Sequence, residues 1–253
     1  MRFRPQFAHV VSTAALLLLA CSAGDVLPPS APPTAVPAGC DIAEPDVLQD
    51  VTETPAAPYF VHHPTFDGPA AGTVVFIAGG STTRGGAQRT WQNVLAAPEH
   101  SGDFRVVLPY SVDSDFHDDP SRAFAILDEV LRCYGGDPAR VHIAGSSNGG
   151  LAAFALMLAQ PNRFATLLGA PGAFDVDDPS TVDPQVWVDA LSGRAVFNGV
   201  GELDVFWQPE VEAINKALTA AGIESQYVEF PGRGHSLRNG FDASIFFDFW
   251  LSH

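Results

Sequence analysis

Between residues 73 and 251 the chain alternates short apolar runs with segments of helical period, and few folds accept that pattern. The run at 73–78, TVVFIA, is rich in β-branched and apolar residues, as a strand buried on both faces must be. Residues 104–109 (FRVVLP), 140–144, 165–169, 195–200 and 226–230 read as further strands. Residues 90–97 read as a short helix, and 121–134, 147–160, 209–221 and 241–251 as longer ones. Phe124, Leu127, Val130 and Leu131 share one helical face, and Gly135-Gly136 ends that helix. Pro161 stops the next helix and Gly222 caps the one after it. The class implied is α/β, a mostly parallel sheet with helices on both faces. Only a short excursion separates the strands at 165–169 and 195–200, so no large lid is expected. Reactive groups in such sheets gather beyond the C-terminal ends of the strands. Each candidate side chain should therefore follow a strand.

The start of the chain is of another kind. Arg2 and Arg4 precede an apolar run at 10–20 that is too short to span a bilayer and ends in small residues, so 1–20 reads as an export signal. Its end, Leu18-Leu19-Ala20-Cys21, resembles the lipobox of bacterial lipoproteins, which implies acylation of Cys21 and an anchor facing the periplasm or the cell exterior. An ordinary secretory signal is the alternative. Residues 21–58, rich in Pro and Ala, read as a tether, and 59–253 as the folded domain; the end of the tether from Cys40 onward is also compatible with packing on the domain. Cys40 and Cys133 remain, in a compartment that permits disulfides; a bond and two free thiols both fit. A net charge of −16 with scattered Lys and Arg disfavours nucleic acid, and leaves a lipid anchor as the route to a membrane.

Gly145-Ser146-Ser147-Asn148-Gly149-Gly150 carries the sharpest chemical signal. It places Ser147 in a Gly-x-Ser-x-Gly frame after a strand and before a helix, where a sharp turn exposes the hydroxyl at the top of the sheet. The backbone N–H of Asn148 then lies at the start of the helix, suited to a developing oxyanion. A serine needs a base. Of the eight histidines, His235 alone follows the last strand and precedes the final helix. His9 lies in the signal, His142 within a strand, His117 in an acidic loop, and His253 at the end of the chain; His62, His63 and His100 precede the serine. Asp204 directly follows the strand at 195–200 and completes the order Ser147, Asp204, His235. Glu202 beside it and the group Asp175, Asp177 and Asp178 are rivals, the latter more readily a solvated loop.

The loop after the first of these strands, Gly79-Gly80-Ser81, could supply a second N–H from Gly80 or Ser81. These residues together resemble the α/β-hydrolase superfamily across residues 59–253. The stretch Asp137-Pro-Ala-Arg-Val-His-Ile-Ala-Gly-Ser-Ser-Asn-Gly-Gly150 looks like the polyhydroxybutyrate depolymerase and feruloyl esterase group, although Ala78 stands where many members have histidine. The resemblance implies hydrolysis of small or polymeric carboxylic esters through an acyl-enzyme, with no cofactor. A peptidase or thioesterase would use the same triad. A silent surface-binding lipoprotein would have no need of all three residues. Asp113, Asp115, His117, Asp118 and Asp119 lack the glycine and terminal glutamate of a calcium loop and read as a solvated segment. Trp187, Phe206 and Trp207 suit either a pocket wall or core packing.

Overall fold

The computed structural model describes residues 38–41, 43–54, 57–65, 69–111, 116–175, 179–237 and 240–253. The signal, Cys21, Asp113, Asp115, Asp177 and Asp178 lie outside the described residues. In chain order the elements are β1 (Leu48–Val51), β2 (Tyr59–His62), β3 (Thr73–Ile77), α1 (Arg84–Thr90), β4 (Arg105–Pro109), α2 (Pro120–Tyr134) and β5 (Val141–Gly145). They continue as α3 (Asn148–Ala159), β6 (Thr166–Gly169), α4 (Pro184–Leu191), β7 (Ala195–Gly201), α5 (Gln208–Ala220), β8 (Ser225–Phe230) and α6 (Ser244–Leu251). The strands form one sheet in the order β1-β2-β4-β3-β5-β6-β7-β8. β1 and β2 are antiparallel to their neighbours, and all the other pairs are parallel.

Alternation along the strands builds two cores. Val75 and Ile77 of β3, with Val107, Ile143, Leu167 and Val196, face the helices α2, α3, α4 and α5. Val74 and Phe76, with Val106, Leu108, Leu168 and Phe197, face α1 and α6. Every residue of β3 to β7 is buried, which explains the uninterrupted apolar runs. The mostly parallel sheet with helices on both faces is as expected.

Four elements depart from the sequence reading, one of them β2, whose four buried residues were not read as a strand. β1 lies inside the stretch read as tether, so the ordered domain begins before residue 59. It is a short, half-buried edge strand whose Asp50 accepts hydrogen bonds from the Tyr110 hydroxyl at 2.5 Å and from Arg84 Nε at 2.8 Å. Such a strand has no apolar alternation to read. Helix α1 starts six residues earlier than the helix read at 90–97. The Thr83 side chain caps it by accepting from the Gly86 N–H at 3.2 Å, but Gly85-Gly86 lowers helix propensity and hides it. It runs on into a π-helical turn, Trp91–Leu95, that buries Trp91 and Leu95. Helix α4 fills the excursion before β7; Trp187 packs on Phe174 with ring centroids 4.4 Å apart and belongs to the core. Cys40 and Cys133 form a disulfide that joins the residues ahead of β1 to the end of α2.

Candidate active site

Ser147 sits between the end of β5 and the start of α3 with φ 56° and ψ −124°. A non-glycine residue adopts positive φ only when its surroundings enforce it. Here the Ser147 N–H donates to the Pro171 carbonyl at 2.8 Å, and the Ser146 N–H donates to Ile77 at 3.2 Å. Gly149 permits the close approach of α3 to β3, since a Cβ there would lie 2.1 Å from the Ile77 carbonyl oxygen. The strain is held by the sheet itself. Its result is a serine hydroxyl raised above the strand ends.

The loops after β7 and β8 bring the other two side chains to it. They touch backbone to backbone, a Cβ on Gly201 falling 2.3 Å from the Gly234 carbonyl oxygen. The Leu203 N–H donates to the Arg233 carbonyl at 2.8 Å, and the Glu202 carboxylate accepts from the Gly232 N–H at 2.7 Å. Glu202, the rival of Asp204, thus braces the histidine loop. Asp204 is 3% exposed, and its Oδ2 lies 2.6 Å from His235 Nδ1. His235 Nε2 lies 2.8 Å from Ser147 Oγ. A buried carboxylate accepts only, so Nδ1 carries the proton and the Nε2 lone pair faces the serine hydroxyl. Trp207 stacks on the far side of the imidazole, centroids 5.8 Å apart.

Gly79, Gly80 and Ser81 line a cleft of about 400 Å³ that opens at Ser147 and His235. The Asn148 side chain donates through Nδ2 to the Gly80 carbonyl at 3.0 Å and fixes this loop, where Gly80 has φ 75°. The Thr82 carbonyl accepts from the Ser111 N–H at 2.9 Å and holds its far end. Asn148 was legible only for its backbone; its side-chain contact across 68 residues leaves no local pattern. Asn198 is also a support that the sequence hid. Its amide bonds both backbone groups of Gly172, accepting from N–H at 3.0 Å and donating to C=O at 2.7 Å, beside the elbow.

No protein-family model matches the chain, and no curated protein matches it in sequence. Solved structures do match it. Acetyl xylan esterase from Aspergillus awamori superposes with a TM-score of 0.61 at 15% identity, covering 81% of this chain and 99% of that one. A ferulic acid esterase gives 0.60 at 16% identity, covering 81% and 96%. A thermostable esterase gives 0.57 at 19% identity over 74% of this chain, which spans only 54% of that protein's length. This is the α/β-hydrolase fold.

Within the hydrolase fold the remaining candidates take other places. His142 is fully buried in β5, its Nδ1 3.0 Å from Thr166 Oγ1, and burial pushes its pKa down to about 3. Burial, with Arg105 beside it, lowers His63 to about 4. His62 is buried beneath Trp91, centroids 4.4 Å apart. His100 pairs with Asp103 at 2.9 Å, and His253 Nδ1 lies 2.8 Å from the Phe249 carbonyl. Asp175 lies 3.7 Å from His117, which also faces Asp118 at 3.6 Å. Asp119 precedes α2 and accepts from the Ser121 hydroxyl at 2.5 Å. Among the described residues no group of three or more His, Cys, Asp or Glu side chains is set to hold a metal ion. Phe206 is 88% exposed beside Asp204, and neither it nor Trp207 lines the cleft.

Proposed function

We propose that the protein is a serine esterase working by acyl transfer. The observation that carries this reading is the continuous chain from Asp204 Oδ2 through His235 to Ser147 Oγ, at 2.6 and 2.8 Å, at the mouth of a cleft. Ser147 Oγ attacks the ester carbonyl as His235 Nε2 takes its proton. The oxyanion is held by the N–H of Asn148 and by one from Gly80 or Ser81, the loop that Asn148 Nδ2 braces. Collapse of the tetrahedral adduct breaks the bond to the alkoxide, which takes the proton from His235. Water then attacks the acyl-enzyme with His235 as base, and Ser147 is restored. Asp204 stabilises the imidazolium in both halves without itself accepting the proton. The esterases that share the fold support this chemistry.

The likeness of residues 137–150 to the polyhydroxybutyrate depolymerase and feruloyl esterase group, and a cleft of about 400 Å³ without a large covering domain in the α4 excursion, favour short or accessible acyl groups. Hydrolysis of p-nitrophenyl esters by the purified protein should be fastest for acetyl to butyryl chains and weak for long ones. Absence of turnover on every chain length, with no labelling of Ser147 by a phosphonate, would overturn the esterase reading.

We also place the protein outside the cytoplasm, attached through acylated Cys21. The Leu-Leu-Ala-Cys sequence supports this, and so does a Cys40–Cys133 disulfide, which an oxidising compartment allows. Radiolabelled palmitate fed to expressing bacteria should enter the wild-type chain and not Cys21→Ser. Equal labelling of both would place the lipid elsewhere, and no labelling would mean an ordinary secreted form.

A further inference from the structure

Arg89 lies in the last turn of α1 and forms part of the cleft wall. Several other arginines are tied down: Arg84 to Asp50, Arg163 to Asp128, Arg105 to the carbonyls of Tyr134 and Gly135, and Arg194 to those of Pro161 and Phe164. The Arg89 guanidinium makes no hydrogen bond or ion pair with any described residue. Nor does it close a helix end. The chain continues into the π-helical turn, the Trp91 N–H donates to Ala87 and Gln88, and the Arg89 carbonyl accepts from Asn93 Nδ2 at 2.9 Å. In a chain of net charge −16, this is an unpaired cation on the wall of the cleft that Ser147 also lines.

Its direction follows from helix geometry. Side chains lean toward the helix N-terminus, so Arg89 reaches back over the preceding turn. Gly85 stands there without a side chain, and Arg89 Nη1 lies 3.2 Å from where its Cβ would be. That turn leads into the Gly79–Ser81 loop on the same cleft wall. The cleft also presents Phe76, Val94, Leu237 and Phe246, and Arg89, itself exposed, shares its wall with them.

We infer that the cleft selects esters bearing a carboxylate, with Arg89 as the residue that recognises it. The inference rests on the esterase reading and narrows its substrate class. A guanidinium presents a planar fork that matches a carboxylate in two parallel hydrogen bonds. The overall negative field repels anions, so a local cation is what would make a charged ester acceptable. The carboxylate can sit on the acyl half, as in a half-ester of a dicarboxylic acid, or on the alcohol half, as in an ester of a hydroxy acid.

Two matched pairs test this and separate the halves. Mono-p-nitrophenyl succinate against p-nitrophenyl butyrate places the charge on the acyl side, and 4-carboxyphenyl butyrate against phenyl butyrate places it on the leaving group. For one pair, the charged-to-neutral ratio of kcat/KM should fall about tenfold in Arg89→Gln, mainly through KM, and recover in part in Arg89→Lys. High salt should lower the wild-type ratio in the same direction. An unchanged ratio for both pairs in Arg89→Gln overturns the inference while leaving the esterase reading intact. If no ester of either pair, charged or neutral, is turned over, the esterase reading fails. Calorimetric titration of succinate then decides the inference alone: binding lost in Arg89→Gln upholds it, and equal or absent binding in both proteins overturns it.

Discussion

Ser147→Ala is expected to lower ester turnover by about 10⁴-fold or more while the protein stays folded. The substitution removes the atom positioned 2.8 Å from His235 Nε2 as a nucleophile, and water has no comparable placement. The fold should tolerate it. Alanine keeps the Cβ that already occupies the strained turn, and the Ser147 N–H to Pro171 hydrogen bond survives. Asp204→Asn should fall by a similar order, for a different reason. Asp204 is 3% exposed, so its replacement has no solvent to reorganise in, and an amide can donate to Nδ1. The imidazole proton then moves to Nε2, which can no longer accept from the serine hydroxyl. The measurement is kcat/KM on p-nitrophenyl acetate beside urea unfolding midpoints for wild type and both variants. Matched midpoints with a lost rate assign the effect to chemistry; equal rates in wild type and Ser147→Ala would remove Ser147 from the mechanism.

What the sequence discloses here follows burial. β3 to β7 are enclosed on both faces, so their apolar runs cannot be read otherwise. The catalytic candidates were legible for a related reason: the fold sends each one beyond a strand end, Ser147 and Asp204 after enclosed runs and His235 after the part-exposed β8. β1 was illegible because an edge strand needs only partial burial, and its Asp50 serves Tyr110 and Arg84 instead of a core. The start of α1 was masked by Gly85-Gly86, residues that weaken a helix yet leave the bed for Arg89. Arg89 itself looks like any solvated helix residue until the fold places it on the cleft wall. The braces were the hardest to see. Asn148 to Gly80, Asn198 to Gly172 and Glu202 to Gly232 join distant residues through backbone groups, and a backbone group has no sequence identity to match.

The second large effect concerns stability. Replacing Cys40 and Cys133 together by serine is expected to cost about 2–5 kcal/mol, or roughly 10 °C in Tm for a domain of this size. The bond spans 93 residues, and closing a loop of that length in the unfolded chain gives about 4.6 kcal/mol in the chain-entropy picture. The native side adds a local consequence. The residues ahead of β1 are joined to α2 by this bond, with Arg132 Nη1 donating to the Cys40 sulfur at 3.1 Å and to the Ala38 carbonyl at 3.4 Å. Losing the bond should therefore expose this segment to protease before the rest of the domain opens. Turnover below the melting range should persist, because Ser147, Asp204 and His235 are carried by the loops after β5, β7 and β8, and none of these holds either cysteine. Urea and thermal unfolding of the double variant against the oxidised wild type read the effect directly. Indistinguishable curves, with free thiols titrating in the untreated wild type, would show that Cys40 and Cys133 do not pair in solution. A soluble form of the protein should accordingly start before Cys40, since beginning at Asp41 would delete the bond with the tether.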